Sequence, residues 1–178
     1  MNRLVLLSVL AMMTLVTSAQ SRVNFTLNTR CEYIIHKDSV KTYYVFPYEG
    51  ESQSALYNKA LIGVTKTFVS AKDVVSKVEN SMISINSTYH FDEYLAGGIV
   101  KMSYDVNYVV ELEFKDGKIK VNAPTIVSIR SNGRNADIRD CILTTDGRLA
   151  KGWTNYLFVN DVINNILANI KTSSNDDW

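Results

Sequence analysis

From Val100 to Phe114 the chain alternates apolar and polar side chains at almost every step. Val100, Met102, Tyr104, Val106, Tyr108, Val110, Leu112 and Phe114 take every second position. Lys101, Ser103, Asp105, Asn107, Glu111 and Glu113 fill the gaps, and Val109 is the one exception. Successive side chains on a strand point to opposite faces, so the run predicts a strand with one buried face and one wet face. Asp116-Gly117 follows and offers the positive φ angles of a tight hairpin turn. That turn sets Phe114 against Ile119, Leu112 against Val121 and Val110 against Ala123. All three pairs fall on the apolar face, so register and pattern agree.

Other segments show weaker periods. Val23, Phe25 and Leu27 alternate with polar residues, as do Cys31, Tyr33 and Ile35, predicting one bent strand or two short ones. Val40 to Phe46 is rich in β-branched and aromatic residues, and Pro47 should end its pairing. Within it, Tyr43 and Tyr44 must point to opposite sides, so one of them can reach solvent. Tyr57, Leu61, Val64 and Phe68 recur at helical spacing, with Ser52 or Ser54 as the cap and Glu51 at the positive end of the dipole. Gly63 inside that helix costs about 1 kcal/mol relative to Ala unless close packing uses the missing side chain. Val74–Val78 and Met82–Ile85 read as short strands around the turn Glu79-Asn80-Ser81. Thr88 to Gly98 and Ser128 to Gly152 read as loops, the second with a short strand near Ile142-Leu143. The last element is a helix from about Asn155 to Ile170, with Val159, Val162, Ile163, Ile166, Leu167 and Ile170 as its apolar stripe. These elements predict an α+β fold, an antiparallel sheet with two helices packed on its apolar face.

The N-terminus changes the picture of where the chain works. Met1-Asn2-Arg3 precedes an apolar run from Leu4 to Val16, and Thr17-Ser18-Ala19 supplies small residues before Gln20. This predicts a secretory signal over residues 1–19, cleaved between Ala19 and Gln20. The expected organisation is then an N-terminal strand extension over 20–39, a single α+β domain over 40–172 and a polar tail over 173–178. The run is too short for a stable spanning helix, which needs about 20 apolar residues, and no later segment is long enough. The chain has 178 residues, with 19 Lys and Arg against 18 Asp and Glu. Losing residues 1–19 removes Arg3 and no acid, so the mature charge is close to zero. With no Lys/Arg block to displace counterions, nucleic acid is not an expected partner. Cys31 and Cys141 have only each other as partners in an oxidising compartment, so a disulfide between them is the expectation, with two buried free thiols as the alternative. In the chain-entropy model a loop that long contributes about 4–5 kcal/mol.

Leu56-Tyr57-Asn58-Lys59-Ala60 through Lys66-Thr67-Phe68, followed by Ser70-Ala71-Lys72-Asp73-Val74-Val75, resembles the exported bacterial family catalogued as domain of unknown function 4468. The hairpin around Lys115-Asp116-Gly117-Lys118 fits as well. So does the stretch from Cys141 through Lys151-Gly152-Trp153 to Asp176-Asp177-Trp178. The resemblance covers roughly Val40 to Trp178, and its motifs are structural. It implies a TBP-like fold and a gut-type Gram-negative envelope protein with no assigned activity. TBP-like names a shape and brings no DNA binding with it.

Candidate chemistry is sparse. The histidines are His36 and His90. No Gly-x-Ser-x-Gly elbow, phosphate-cradling glycine loop or His-Glu-x-x-His helix occurs. His90-Phe91-Asp92-Glu93 brings imidazole and carboxylates together, but such local clusters are ordinarily solvated, and neither a metal nor a cofactor is expected. Glu111 and Glu113 share the wet face of one strand, where they read as solubility charges. Tyr89, Phe91 and Tyr94 lie in the segment Thr88 to Gly98 and are the candidate binding anchors, because exposed loop aromatics make good contacts. The competing reading folds that segment down onto the core. Together these residues favour a non-enzymatic binding or interaction module of the envelope, with an unknown envelope protein or small ligand as partner. One alternative is a small periplasmic hydrolase using His90 and nearby carboxylates. Another is an inhibitor of a host or competitor enzyme.

Overall fold

A computed structural model describes residues 22–35, 41–95, 98–150 and 158–172. The predicted leader 1–19 with its Ala19/Gln20 junction, His36, Val40, the expected helix start at 155–157 and the tail 173–178 lie outside the described residues.

In chain order the strands are β1 (Thr26–Leu27), β2 (Tyr33–Ile34), β3 (Tyr43–Pro47), β4 (Val75–Val78), β5 (Met82–Leu95), β6 (Val100–Lys115), β7 (Lys118–Asn122), β8 (Thr125–Ser131) and β9 (Arg134–Ala136). The helices are α1 (Gln53–Thr67), α2 (Ala71–Val74), α3 (Ile138–Ile142) and α4 (Phe158–Thr172). The architecture is α+β, with an antiparallel sheet in the order β3-β7-β6-β5-β4 and β8 and β9 added beside β6. β5 and β6 pair from Met82 opposite Glu113 to Leu95 opposite Val100. The other edge of β6 is shared: Leu112–Lys115 pairs with β7, and Tyr104–Val109 pairs with β8. Phe114 faces Ile119 and Leu112 faces Val121, as the alternation requires. Gly117 takes φ +70°, the conformation the Asp-Gly turn needs.

The apolar side of the sheet carries the core. Ile83, Ile85, Val110, Leu112, Phe114, Ile119 and Val121 are all buried there. Both long helices pack on them through Leu56, Tyr57, Ala60 and Val64 of α1 and Val159, Ile163, Ile166, Leu167 and Ile170 of α4. Each such aliphatic or aromatic side chain contributes about 1.5–3 kcal/mol on burial. Ser52 is the cap of α1, its Oγ accepting from the Ala55 N–H at 3.2 Å. Gly63 lies where α1 meets α4: a Cβ built there would stand 3.0 Å from the backbone oxygen of Ile166. The missing side chain is therefore used for close helix packing.

The N-terminal segment is held by side chains. Asn160 is buried on α4; its Oδ1 accepts from the Phe25 N–H at 2.9 Å and its Nδ2 donates to the Phe25 carbonyl at 2.9 Å. One turn later, Asn164 does the same for Val23, at 2.8 and 3.2 Å. Between them, the Tyr44 hydroxyl donates to the Asn24 carbonyl at 3.1 Å. A primary amide presents one donor and one acceptor in the geometry of a backbone peptide, so the two asparagines act as a substitute strand. β1 and β2 form a two-stranded sheet of their own among the described residues, the two-short-strand alternative.

Two expectations are corrected. Thr88 to Leu95 is the continuation of β5 and not a loop. Its inner positions (Ser87, Tyr89, Phe91, Glu93) mix aromatic and polar residues, which hides the alternation. Ser128 to Gly152 holds the end of β8, then β9, α3 and an isolated bridge between Leu143 and Leu149. The register of β8 shifts between Asn107 and Tyr108, which pair with Ser128 and Ile126 and leave Val127 out. That bulge breaks the period of two on which a strand is read. β8 and α3 cover the far half of the hairpin through a second cluster of Tyr104, Val106, Ile129 and Ile142. A smaller difference is that Val74 closes the short α2 and β4 starts at Val75.

Candidate functional site

Strand geometry separates the three candidate anchors. Tyr89 and Phe91 lie on the inner side of β5, while Tyr94 lies on the wet side and is 62% exposed. Tyr89 stacks on Phe158 of α4 with ring centroids 3.8 Å apart, and Phe91 stacks on its cross-strand partner Tyr104 at 4.9 Å. Phe158 meets Tyr108 edge-on at 5.2 Å. Tyr89 and Phe91 thus belong to an aromatic ladder that closes the core at its far end. The structure does not bring Tyr94 to them.

Cys31 and Cys141 are unlinked in this structure. Both are half-buried against the second cluster. Cys31 occupies a turn at φ +64°, and Cys141 lies in α3. Burial is the first cause that raises both thiols above their ordinary value, so both are protonated at neutral pH. Asp137 beside them raises both further, and for Cys31 Arg139 pulls the other way.

The wet side of the sheet is where polar side chains converge. At its far end, the Asp105 carboxylate lies 2.7 Å from Nδ1 of His90, its cross-strand partner. Asp92 is 3.6 Å from Nε2 on the other side. Asp92 also accepts from Lys101 at 2.9 Å and from the Ser103 hydroxyl at 2.7 Å. The Lys101 bond is the main reason the Asp92 carboxyl is held below its ordinary value, and the same bond raises Lys101. The imidazole is exposed. Among the described residues no three His, Cys, Asp or Glu side chains are placed to hold a metal ion.

Mid-sheet, Asn107 joins Thr88 on β5 to Ser128 on β8, at 2.5 and 2.8 Å. At the near end Glu113 accepts from Lys120 at 2.9 Å and from Asn122 at 2.8 Å. Asn122 is the larger cause, and Lys120 the next, that lowers the Glu113 carboxyl. Glu111 and Glu113 therefore join a network across β6 and β7 and do more than solubilise the face. Beside them Tyr43 is 38% exposed while Tyr44 is buried, the split that strand alternation demands. Lys41 and Lys120 place their ammonium groups 5.2 and 5.1 Å from the centroid of the Tyr43 ring. Val45, Lys115 and Lys118 complete a pocket of about 360 Å³ around this tyrosine.

Sequence reasoning missed this corner, although the signal was present. Tyr43 and Val45 sit at outward positions of β3, and Lys118 and Lys120 at outward positions of β7, which pairs with it. Among the described residues no helix is long and apolar enough to cross a membrane.

No family model and no curated protein matches the chain. It is similar to several solved structures. One is a DUF4468 family protein from Bacteroides ovatus, 12% identical, covering 88% of this chain and 87% of that one at a TM-score of 0.46. Another is a TBP-like protein from Parabacteroides distasonis, 13% identical, covering 75% of this chain and 84% of that one at a TM-score of 0.40.

Proposed function

We propose that this chain is an exported, non-enzymatic binding module of the cell envelope, and that it engages its partner through the wet face of its sheet. The observation behind the reading is the makeup of that face. Tyr43, Lys120, Glu113, Asn107, Thr88 and His90 stand at outward positions on paired strands, many already fixed by hydrogen bonds to their neighbours. Side chains held on a rigid sheet lose little entropy when a partner arrives. Export would also put Cys31 and Cys141 in oxidising surroundings. A bridge between them would then tie the N-terminal segment to α3, and intact mass with and without reductant checks it.

The test is a cross-linked pull-down with the mature chain 20–178 from the source envelope, read by mass spectrometry. The reading expects a partner that survives high salt and is lost when Tyr43 and Asn107 are changed to Ala. Equal capture by that variant would refute the surface, and no capture by folded protein would refute the module.

A second reading, a hydrolase centred on His90, is favoured by one observation. Asp105 at 2.7 Å from Nδ1 is placed to orient the imidazole as a base, with Asp92 3.6 Å from Nε2. It predicts an ester or peptide hydrolysis that disappears in His90→Ala.

A further inference from the structure

We propose that the pocket at the β3–β7–β6 corner binds an acidic sugar, with its anionic group on Lys115 and Lys118 and its ring against Tyr43 and Val45. The proposal rests on the binding-module reading and names the ligand class for that face.

Lys115 of β6 stands directly opposite Lys118 of β7, and Lys118 is followed on the other side by Pro47 of β3. Like charges directly opposite on a sheet destabilise it. Among the described residues neither lysine makes a salt bridge; Glu113, the pocket's one carboxylate, is engaged by Lys120 and Asn122. The corner therefore holds an excess of positive charge, only partly offset by the attraction between Lys115 and Glu113, that an incoming anion relieves. Next to it Tyr43 is 38% and Val45 46% exposed, on the outward side of an edge strand.

The mixture selects among anions. A bare phosphate would use the ammonium groups, leave Tyr43 and Val45 idle and meet the charge of Glu113. A sugar that carries a carboxylate or sulfate uses all of them. Its C–H face packs on the valine methyls and on the part of the tyrosine ring that Lys41 and Lys120 leave open, its hydroxyls donate to Glu113, and its anionic group lies between Lys115 and Lys118. The pocket's volume of about 360 Å³ is at the small end for ligand sites, and its place at the sheet edge lets a longer glycan pass.

Isothermal titration of the mature chain tests this. The probes are short fragments of oligogalacturonate, hyaluronan and chondroitin sulfate, with a neutral oligosaccharide of equal length and inorganic phosphate beside them. The expected result is saturable binding of at least one acidic fragment and none of the neutral one. Lys118→Glu turns the repulsive pair into an attractive one, so this variant stays folded, with an unchanged or higher melting temperature. It and Tyr43→Ala should each weaken binding about tenfold or more, while Lys77→Gln, outside the pocket, should not. Three results would overturn the proposal: no acidic fragment binds, Lys118→Glu binds as wild type does, or phosphate binds as tightly as the best sugar. If the sugars fail while envelope capture still depends on the wet face, only the ligand assignment falls. If capture fails as well, the binding-module reading falls with it.

Discussion

Asn160 is the residue whose removal the fold should tolerate least for its size. It is 5% exposed, and its amide makes both hydrogen bonds to the Phe25 backbone, each at 2.9 Å. Asn160→Ala removes both and strands a buried N–H and a buried carbonyl. A net hydrogen bond is worth about 1 kcal/mol, but each orphaned buried group costs about 1–3 kcal/mol. Some relaxation will lower the sum, so the expected loss is about 3–5 kcal/mol, a large share of the roughly 5–15 kcal/mol of a whole domain. Asn164→Ala, at a half-buried site, should cost less, about 1–2 kcal/mol. Asn160→Asp keeps the acceptor for the Phe25 N–H and loses the donor, so a buried carboxylate faces the Phe25 carbonyl. That raises the new carboxyl's folded-state pKa, and the variant should regain stability as pH falls and the acid can donate. Urea titration of the mature chain measures the loss, and amide exchange at Phe25 separates global unfolding from release of the N-terminal segment. Asn160→Ala within about 0.5 kcal/mol of wild type, with the Phe25 amide still protected, would refute the reasoning.

Further outcomes follow from single contacts. Gly63→Val drives a branched side chain into the Ile166 backbone oxygen, 3.0 Å from where its Cβ must sit, and should lower stability by about 1–3 kcal/mol in denaturant titration. Among the described residues the buried Tyr48 and Tyr57 hydroxyls have no hydrogen-bond partner, so Tyr57→Phe should be neutral or stabilising by up to about 1 kcal/mol. Burial pushes the Tyr48 phenol up to about 12, so stability should fall as pH rises above its ordinary 10, and less steeply in Tyr48→Phe. Glu113 is held below its ordinary 4.5, so the unfolded chain binds the proton first on acidification. The stability from its network is present above that value and is lost as pH falls through the folded value; the melting temperature of Asn122→Ala should show a weaker acid dependence there.

The parts of the fold legible in sequence were those where one face is uniformly apolar. β6 and β7 bury Val110, Leu112, Phe114, Ile119 and Val121, so their alternation and register could be read directly. α4 likewise presents an apolar stripe to the sheet, while in α1 Tyr57 and Val64 of the predicted face are buried together with Leu56 and Ala60, and Leu61 and Phe68 are only partly buried. The far half of β5 escaped because it leaves the main core. There Tyr89 and Phe91 share a face with Ser87 and Glu93, and His90 and Tyr94 share the other with Asp92, so hydropathy does not alternate. β8 escaped because its bulge puts the inward residues Ile126 and Ile129 three apart. The asparagine clamp had no signal at all, since Asn160 and Asn164 look like an ordinary polar helix face until the segment they hold is in place. For the sites, alternation showed that one of Tyr43 and Tyr44 faces outward without saying which, and the facing of Lys115 and Lys118 acquired meaning only once the register set them opposite each other beside a Glu113 already engaged by Lys120 and Asn122.

The claim that the wet face of the sheet is the contact surface is tested most directly by site-specific photocross-linking in the source cell. A photoreactive residue would replace Thr88 or Lys118 on that face, or Asn58 or Asn165 on the exposed sides of α1 and α4. The account predicts discrete partner adducts from positions 88 and 118 and none from 58 and 165. Adducts from the helix positions alone would contradict it.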